Sequence, residues 1–556
     1  MQRLLPLLCL LLGGACASSQ PAADGPPPAA HGMVVAPEPI AAREGAQILR
    51  EGGNAVDAAV CVGFVLAVTH PQAGNLGGGG FLIVHTAEAD VAIDARETAP
   101  AAAERDMYLD ADGNVRRDAS LVGPLAAGVP GSVAGYLLAL EQYGTLPRER
   151  VLAPAIRLAE EGFEVDRGLH ASLDRARKLL ARFPETAAIF LPAGRVPAVG
   201  ERFKQPQLAR TLRSIAAEGA AGFYRGRVAL EIEKISNRYG GRIRRSDLAG
   251  YRARERAPVR GTYRGYEILS MPPPSSGGVI LLQMLSMLRR HPLGDLSEPE
   301  RWHLFIEVAR RAFADRSYWF GDPDFVSVPV AALLDPDYID GRFARVDRLR
   351  ATPSSRIGHG VPPGAESEET CHFSIVDRHG NAVACTTTLN GSFGCGASAA
   401  GVLLNNEMDD FSSKPGAPNL YGLIQGERNA VAPNKRPLSS MTPTIVLDAH
   451  GRVRYVLGSP GGPTIISSVC QVLVRLLALR QAPAEAVAAP RVHHQWLPDE
   501  IQHEELPSWL LRDLEKRGHK LRARCGPMGD LQLIVVDEDG RARGYPDPRG
   551  RGGAAW

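Results

Sequence analysis

The chain has 556 residues, of which 44% are apolar and 22% are charged, and its formal net charge is +2. This length and composition are typical of a globular protein with two domains or one large α/β unit. The small net charge and the spread of lysine and arginine along the chain argue against a nucleic-acid partner. The eight cysteines form no CxxC pair and no zinc-ligand spacing, so we expect no metal site and no cofactor.

The N-terminus has the pattern of a secretory signal peptide. One early arginine precedes an apolar run that is too short to span a bilayer, so residues 1–15 are predicted to be removed. This places the mature protein in the periplasm or outside the cell. Cleavage after Ala15 exposes Cys16, as in a bacterial lipoprotein, although Gly13 stands where an aliphatic residue is usual. Lipid attachment at Cys16 and plain secretion both stay open, and residues 16–32 are predicted to be a Pro/Ala-rich linker.

Two helices and a glycine-rich turn are predicted next. The first helix runs from Pro37 to Arg50, and Asn54 is placed to cap the second, AVDAAVCVGFVLAV. That second helix is apolar nearly all round, which indicates burial between layers. The sequence GNLGGGGFLIVH then enters a strand. Because no Lys-Ser/Thr follows and the loop runs from helix to strand, it favours close backbone packing over phosphate binding.

The pattern changes from helices to strands near residue 370. Residues 130–350 are mostly helical in pattern, for example RWHLFIEVARRAFADRSYWFG, whereas short strands such as HFSIVD and GVLLNNEMDDF dominate later. One helix, TIISSVCQVLVRLLAL, lies between those strands. This mixture predicts a layered α/β/β/α arrangement with a boundary at 370.

A Pro/Gly/Ser-rich stretch leads directly into the strand that begins near Thr370. A turn explains this arrangement, and so does a cut between Glu369 and Thr370. A threonine hydroxyl is a weak nucleophile that needs a base. A cut frees an α-amine beside that hydroxyl, with a pKa of about 7.7–8.0, which is a serviceable base near neutral pH. Threonine at a strand start for its β-propensity is the alternative.

Long motifs along the whole chain favour the cut. These motifs are EGGNAVDAAV, AVTHPQAGNLGGGGF, DARETAP, GVPGSVAGY, TCHFSIVD, LLNNEMDDFSSKPGAPN, PNKRPLSSMTPTIV, GSPGG and HHQWLPDE. Through them, the chain from about residue 33 to 550 resembles the γ-glutamyltranspeptidase family of N-terminal-nucleophile hydrolases.

The resemblance implies an α+β fold, a four-layer α/β/β/α sandwich. It implies a precursor that cuts itself between Glu369 and Thr370 into a large subunit, 33–369, and a small subunit, 370–556, which form one heterodimeric catalytic unit. The implied reaction is attack on glutathione or another γ-glutamyl amide, followed by transfer to water or to an acceptor amino acid or dipeptide.

The resemblance also implies catalytic roles. Thr370 is the nucleophile, and its freed amine is the base. Thr388 resembles the family threonine that bonds to the nucleophile. The backbone N–H groups of Gly461 and Gly462 resemble the oxyanion hole, which needs donors without crowding side chains. Cys371 stands where threonine is common, but side-chain alternation predicts that it faces the core rather than the site.

The substrate's glutamyl head carries one carboxylate and one ammonium, so its site needs both signs. Arg96 suits the carboxylate through a bidentate fork. The ammonium needs neutral acceptors or carboxylates. Glu407 is one such carboxylate, and it stands where some bacterial members have a glutamine. The loop KPGAPNLYG resembles the family's lid, with Tyr421 over the bound group. The substrate-binding set is Arg96, Ser439 and Ser440 for the carboxylate, Asn390, Glu407 and Asp410 for the ammonium, and Tyr421 in the lid.

Two alternatives come from other function classes. One is an acylase of the same fold that removes a glutaryl chain from a β-lactam nucleus, a substrate without an ammonium group. The acidic pair Glu407 and Asp410 favours glutamyl over glutaryl. The other is a non-catalytic periplasmic binding lipoprotein, which predicts an uncut chain.

Overall fold

The computed structural model describes residues 28–29, 31–116, 118–358, 371–414, 416–417, 419–420, 422–524 and 526–556. The signal peptide, Cys16, the pair Glu369 and Thr370, and Tyr421 lie outside these described residues, so the expectations about them stay predictions.

A seven-stranded antiparallel sheet forms the centre of the molecule, with strands in the order β20-β1-β9-β10-β2-β3-β6. Cys371 at the start of β9 pairs with Thr387 near the end of β10. The strands are β1 (Gly32–Ala36), β2 (Gly79–His85), β3 (Asp90–Ala95), β6 (Arg254–Arg256), β9 (Cys371–Asp377), β10 (Ala382–Thr388) and β20 (Gly553–Ala555).

A second antiparallel sheet of six strands has the order β19-β18-β14-β13-β8-β7. Its strands are β7 (Val259–Tyr263), β8 (Tyr266–Ser270), β13 (Thr444–Leu447), β14 (Val453–Gly458), β18 (Gln532–Val536) and β19 (Ala542–Pro546). Short strands complete the set: β4 (Phe163–Glu164), β5 (Arg202–Phe203), β11 (Ser398–Ala399), β12 (Val402–Leu403), β15 (Val492–His493), β16 (Ile501–His503) and β17 (Leu521–Ala523).

Helices cover the outer faces of the two sheets. They are α1 (Pro39–Arg50), α2 (Ala55–Thr69), α3 (Ser132–Tyr143), α4 (Arg148–Glu161), α5 (Arg167–Leu180), α6 (Pro184–Phe190), α7 (Pro206–Glu218), α8 (Ala221–Tyr224), α9 (Gly226–Arg238), α10 (Arg245–Gly250), α11 (Gly277–Leu288), α12 (Glu298–Trp319), α13 (Val330–Leu333), α14 (Pro336–Phe343), α15 (Thr464–Leu477), α16 (Pro483–Ala488) and α17 (Ser508–Lys516).

Side-chain alternation in β1 shows how the layers stack. Val34 packs into a core shared with α1, α2 and α4. Its neighbours Met33 and Val35 point to the opposite face and join a core that includes Ile445 of β13 together with α11, α12 and α15. The first sheet is therefore packed between helices on one side and the second sheet on the other. This confirms the predicted four-layer α/β/β/α sandwich.

The start of the chain folds largely as its sequence predicts. The Asn54 side chain accepts from the backbone N–H groups of Val56 and Asp57, a cap that contributes about 1 kcal/mol to stability. Every residue of α2 is buried, as its apolar pattern predicts. The first helix begins at Pro39 rather than at Pro37, because the Glu38 carboxylate caps it by accepting from two backbone N–H groups.

The glycine-rich turn after α2 allows backbones to approach closely. A Cβ on Gly77 would lie 2.0 Å from the carbonyl oxygen of Leu403, and one on Gly78 would lie 2.0 Å from that of Thr388. Only glycine fits at either position. This confirms the packing interpretation and shows that the turn holds the end of β10 in place.

The region 130–350 is mostly helical, as predicted, and it also contains strands β6, β7 and β8 in parts of 254–270. One expectation about local structure is wrong. In GVLLNNEMDDF only Val402–Leu403 is a strand, and the acidic part forms a short 3₁₀ helix, Glu407–Asp410.

The cysteines in the described part of the chain are all buried, and none of them forms a disulfide. Cys371 belongs to the core on the helix-covered face of the first sheet, which confirms its predicted core position. Across the residues with a described placement, no helix has the length and apolar character needed to cross a membrane.

Candidate active site

Arg96 lies directly after β3 and is fully buried. Its guanidinium forms ion pairs with the carboxylates of Glu407 and Asp410, and its Nε donates to the Pro437 carbonyl at 3.1 Å. The two carboxylates come from one turn of 3₁₀ helix more than 300 positions away in the sequence. The fold therefore brings these three predicted substrate-binding residues together, with charges of both signs.

Burial shifts the acid–base behaviour of this cluster. Burial raises the pKa of Glu407 well above its ordinary value, against the Arg96 guanidinium, which lowers it. Glu97 lies 3.6 Å from Arg96 and is also fully buried. Neither of its carboxyl oxygens has a hydrogen-bond partner among the described residues, and burial raises its pKa to about 7. The sequence analysis did not identify Glu97, although it stands beside Arg96 in the motif DARETAP.

The serine pair, Ser439 and Ser440, lies in the segment just before β13. The Ser439 backbone N–H donates to the Pro274 carbonyl at 2.9 Å, and the Ser439 carbonyl accepts from the Ser276 backbone N–H at 2.9 Å. The Ser440 hydroxyl accepts from a guanidinium nitrogen of Arg316 at 2.9 Å. Backbone hydrogen bonds therefore fix the position of Ser439, and the Arg316 side chain fixes that of the Ser440 hydroxyl.

Arg316 is a functional candidate that the sequence analysis missed. It lies on α12, is fully buried, and donates through Nε to the Ser276 hydroxyl at 2.8 Å. Its Nη1 has no hydrogen-bond partner, and the side chain makes no ion pair, among the described residues. Burial lowers its pKa to about 10, so it stays protonated at neutral pH. Arg96 is shared by two carboxylates, whereas the charge of Arg316 is not paired with any described residue.

Thr388 is the last residue of β10, and Asn390 lies two residues further along the chain. The Thr388 hydroxyl accepts from the Asn390 backbone N–H at 2.8 Å, and Asn390 Nδ2 donates to the Asn406 carbonyl at 3.0 Å. Thr388 is buried and lies at the end of the strand pair where the chain enters β9. The arrangement ties the end of β10 to the segment that precedes the acidic 3₁₀ helix.

Gly461 and Gly462 lie just before α15. Their φ angles are 126° and 52°, both in the region that favours glycine. A Cβ on Gly461 would lie 2.5 Å from the Thr464 hydroxyl. The N-terminal end of a helix carries partial positive charge and free N–H groups. The glycine pair thus lies at a position suited to stabilising an oxyanion.

A small cavity of about 20 Å³ gathers most of these groups. Asn390 and Gly461 are not among its lining residues, although they adjoin Thr388 and Gly462. The predicted site residues that line it are Arg96, Thr388, Glu407, Asp410, Ser439, Ser440 and Gly462, and Arg316 joins them.

The described residues of the predicted lid loop lie against the acidic helix. The Asn419 side-chain amide donates to Asp410 at 3.2 Å, and the Leu420 backbone N–H donates to Asp409 at 2.6 Å. Leu423 then lines the small cavity. In the parts of the chain that the structure describes, no cluster of three or more side chains suited to a metal ion occurs.

Comparisons with known proteins point to one family. The model of the family described as gamma-glutamyltranspeptidase matches residues 41–556. A glutathione hydrolase proenzyme of Escherichia coli is 45% identical over 562 residues, covering 98% of this chain and 97% of that protein. A solved cephalosporin acylase from Bacillus halodurans superposes with a TM-score of 0.85 at 27% identity, covering 98% of this chain and 99% of its own.

A further solved structure, a gamma-glutamyltranspeptidase of Helicobacter pylori, is 44% identical with a TM-score of 0.57. The match covers 93% of that chain but only 58% of this one. That solved chain is therefore much shorter than the chain described above.

Proposed function

Because the chain belongs to the γ-glutamyltranspeptidase family, we propose that it is a γ-glutamyltransferase and glutathione hydrolase that processes itself. The observation that carries the proposal is the buried cluster of Arg96 with Glu407 and Asp410, next to the serine pair. A γ-glutamyl group ends in a zwitterion, and this cluster offers both of the charges needed to recognise one.

Maturation begins with Thr370. Its hydroxyl oxygen attacks the Glu369 carbonyl carbon, the peptide C–N bond breaks, and the nitrogen takes up the hydroxyl proton to become the new α-amine. Water then opens the ester and releases the large subunit's carboxylate. The name proenzyme of the Escherichia coli relative supports this step, as does the short solved chain of the Helicobacter relative. Residues 33–369 and 370–556 are then the two subunits of one catalytic unit.

Turnover repeats the same chemistry on the substrate. Thr370 Oγ attacks the γ-amide carbonyl, assisted by Thr388, and its proton passes through the α-amine to the leaving nitrogen. The Gly461 and Gly462 N–H groups stabilise the oxyanion as it forms. Water or an acceptor amine then opens the γ-glutamyl ester and returns the proton to Thr370.

Substrate binding exchanges partners within the charged cluster. The substrate's α-carboxylate binds the Arg96 guanidinium and the serine hydroxyls. The substrate's ammonium binds Asp410 and Glu407, together with Asn390. The ion pairs broken and formed have the same types of charge, so each buried charged group has a partner of opposite charge before and after binding. Because the small cavity holds only about 20 Å³, we expect the lid loop with Tyr421 to move when the glutamyl group binds.

The glutaryl acylase alternative has a structural neighbour in the cephalosporin acylase. Glutaryl has no ammonium, and it would leave Glu407 and Asp410 without a cationic partner once its carboxylate took Arg96. The sequence identity of this chain to the glutathione hydrolase proenzyme is higher than its identity to the cephalosporin acylase, which also favours the glutamyl substrate.

Parallel assays with γ-glutamyl-p-nitroanilide and glutaryl-p-nitroanilide decide between these substrates. We expect kcat/KM to be about 100-fold higher for the glutamyl compound, since a site that bonds the ammonium rejects its absence. Faster glutaryl cleavage contradicts the proposal. A non-catalytic binding lipoprotein predicts instead one uncut band on a denaturing gel and no anilide cleavage.

Export and lipid attachment form a separate part of the proposal. The signal peptide places the protein in the periplasm or outside the cell, and Cys16 is the acceptor if a lipid is added. Comparing membrane and soluble fractions of cells that express the wild type and Cys16→Ser tests this. Lipid attachment predicts wild type in the membrane fraction and the variant in the soluble one, whereas plain secretion predicts both in the soluble fraction.

A further inference from the structure

Lysine and arginine are spread along the sequence, but the fold gathers many of them on one face. Residues 341–350, which include the end of α14, carry four arginines and one aspartate. Residues 508–524, which include α17 and β17, carry six lysines and arginines and two acidic residues. These ten basic and three acidic residues have a formal charge of +7, whereas the whole chain has only +2. Positive charge is therefore concentrated in these two segments, which we call the basic face.

The two segments lie side by side, although they are far apart in the sequence. Ala351, which follows the first segment, donates its backbone N–H to the Arg517 carbonyl at 2.7 Å. A guanidinium nitrogen of Arg517 donates to the Arg348 carbonyl at 3.3 Å. A Cβ on Gly518 would lie 3.8 Å from the Cβ of Ala351. The two segments therefore form one continuous surface.

Most of the cations on the basic face are available to a partner. Three of them have acidic neighbours: Arg342 pairs with Asp315, Arg517 with Asp513, and Arg522 with Glu500. The cations that are exposed and form no ion pair with any residue that the structure describes are Arg345, Arg348, Arg350, Arg512, Lys516 and Lys520. Because like charges repel one another, a surface of this kind favours an anionic partner.

Two large apolar side chains stand among these cations. Leu349, between two of the arginines, is 72% exposed, more than any other large apolar residue in the described part of the chain. Trp509 is 49% exposed, and its spacing in α17 puts it on the same face of the helix as Arg512 and Lys516. Such side chains gain free energy where lipid headgroups meet acyl chains, and tryptophan is enriched at that depth. The basic face therefore offers both cations and apolar anchors.

We propose that the basic face docks on a membrane surface that carries anionic lipid headgroups. The cations pair with lipid phosphates, and Leu349 and Trp509 enter the layer between headgroups and acyl chains. A soluble polyanion offers the negative charges but no apolar layer for these two side chains, so the structure favours a bilayer. The inference does not depend on the γ-glutamyl chemistry, because no residue of the basic face lines the small cavity.

Binding to lipid vesicles tests the inference. The mature protein is sedimented with vesicles of phosphatidylcholine alone and with vesicles that also contain phosphatidylglycerol. A lipid at Cys16 would hold the protein on both kinds of vesicle, so the readout is the preference for the anionic ones. The test variant combines Arg345→Gln, Arg348→Gln and Arg350→Gln. The matched control combines Arg43→Gln, Arg182→Gln and Arg210→Gln, which removes the same charge from exposed positions outside the basic face.

We expect the wild type and the control to prefer the anionic vesicles, and concentrated salt to remove the preference. In the test variant the preference should fall about 100-fold, since each arginine near an anionic surface contributes about fivefold. The fluorescence of Trp509, taken as the difference between wild type and Trp509→Phe, should shift to shorter wavelength on binding. Each variant should cleave γ-glutamyl-p-nitroanilide as the wild type does, which shows that it is folded.

Three results would overturn the inference: no preference in the wild type, an equal fall in the test and control variants, or no shift in the Trp509 fluorescence. Binding to dextran sulfate without binding to vesicles would also overturn it, and would identify a soluble polyanion as the partner.

Discussion

The guanidinium of Arg316 donates a hydrogen bond to the Ser440 hydroxyl at 2.9 Å. A guanidinium only donates, so the Ser440 oxygen is the acceptor and its own hydrogen is directed elsewhere. A second hydrogen bond, to Ser276 at 2.8 Å, fixes the plane of the Arg316 side chain. Arg316 therefore orients a hydroxyl donor toward the small cavity and adds a positive charge that no described carboxylate neutralises.

This relationship predicts that Arg316→Gln weakens recognition of the α-carboxylate. We expect kcat/KM for γ-glutamyl-p-nitroanilide to fall about tenfold, the loss of one hydrogen bond to a charged group. The 4-aminobutyryl analogue lacks the α-carboxylate, and its slow cleavage should change less than twofold. An equal loss for both anilides would show that Arg316 only supports the structure.

Replacing Arg96 with lysine should have a larger effect on the same substrate. Arg96→Lys keeps the charge but cannot bond two partners in one plane. We expect kcat/KM to fall about 100-fold, mainly through KM, with self-cleavage retained on a denaturing gel. A change in kcat at constant KM would place Arg96 in the chemical step rather than in binding.

Gly461→Ala should impair the chemical step and spare binding. The added Cβ would lie 2.5 Å from the Thr464 hydroxyl at a φ of 126°, so the backbone N–H groups must shift. We expect kcat to fall about 100-fold with little change in KM. Gly451→Ala is the control, since it also has positive φ but meets nothing within 4 Å. Equal effects in the two variants would remove the argument for an oxyanion hole.

Glu97 should make stability depend on pH in a defined direction. Its pKa rises from 4.5 to about 7 on folding because the side chain is buried. The folded state thus binds the proton more tightly, and the contribution to stability is complete below pH 4.5 and lost as the pH rises to 7. The test compares the free energy of unfolding of Glu97→Gln with that of its parent, both in the uncut Thr370→Ala background. Between pH 4.5 and pH 7.5 this difference should shift by about 3 kcal/mol in favour of Glu97→Gln. Denaturant unfolding at both pH values measures this, and a difference that does not vary with pH contradicts it.

Much of the fold was predictable because its signals are local. The cap at Asn54, the all-apolar α2 and the glycine turn at Gly77 each follow from a few neighbouring residues. The strands β6 to β8 were not predictable, since RER, VRGTY and YEILS are short and none of them shows a sustained apolar alternation.

Site residues that stand in sequence motifs were predictable. Site residues that are recognised only by their tertiary contacts were not. Arg96, Glu407 and Asp410 stand in recognisable motifs, and the fold brings them together. Arg316 lies in a helix in which every residue from Trp302 to Arg316 is buried, so no polar face marks it. Its partners Ser276 and Ser440 lie 40 and 124 positions away in the sequence.

The central claim is that the protein makes its own nucleophile by cutting before Thr370. N-terminal sequencing of the smaller fragment of the purified wild-type protein tests it most directly, with Thr370→Ala run beside it. We predict a fragment that begins Thr-Cys-His-Phe-Ser in the wild type, and a single uncut, inactive chain in the variant. A fragment that begins at any other residue, or a Thr370→Ala protein that is still cut and active, would contradict the account.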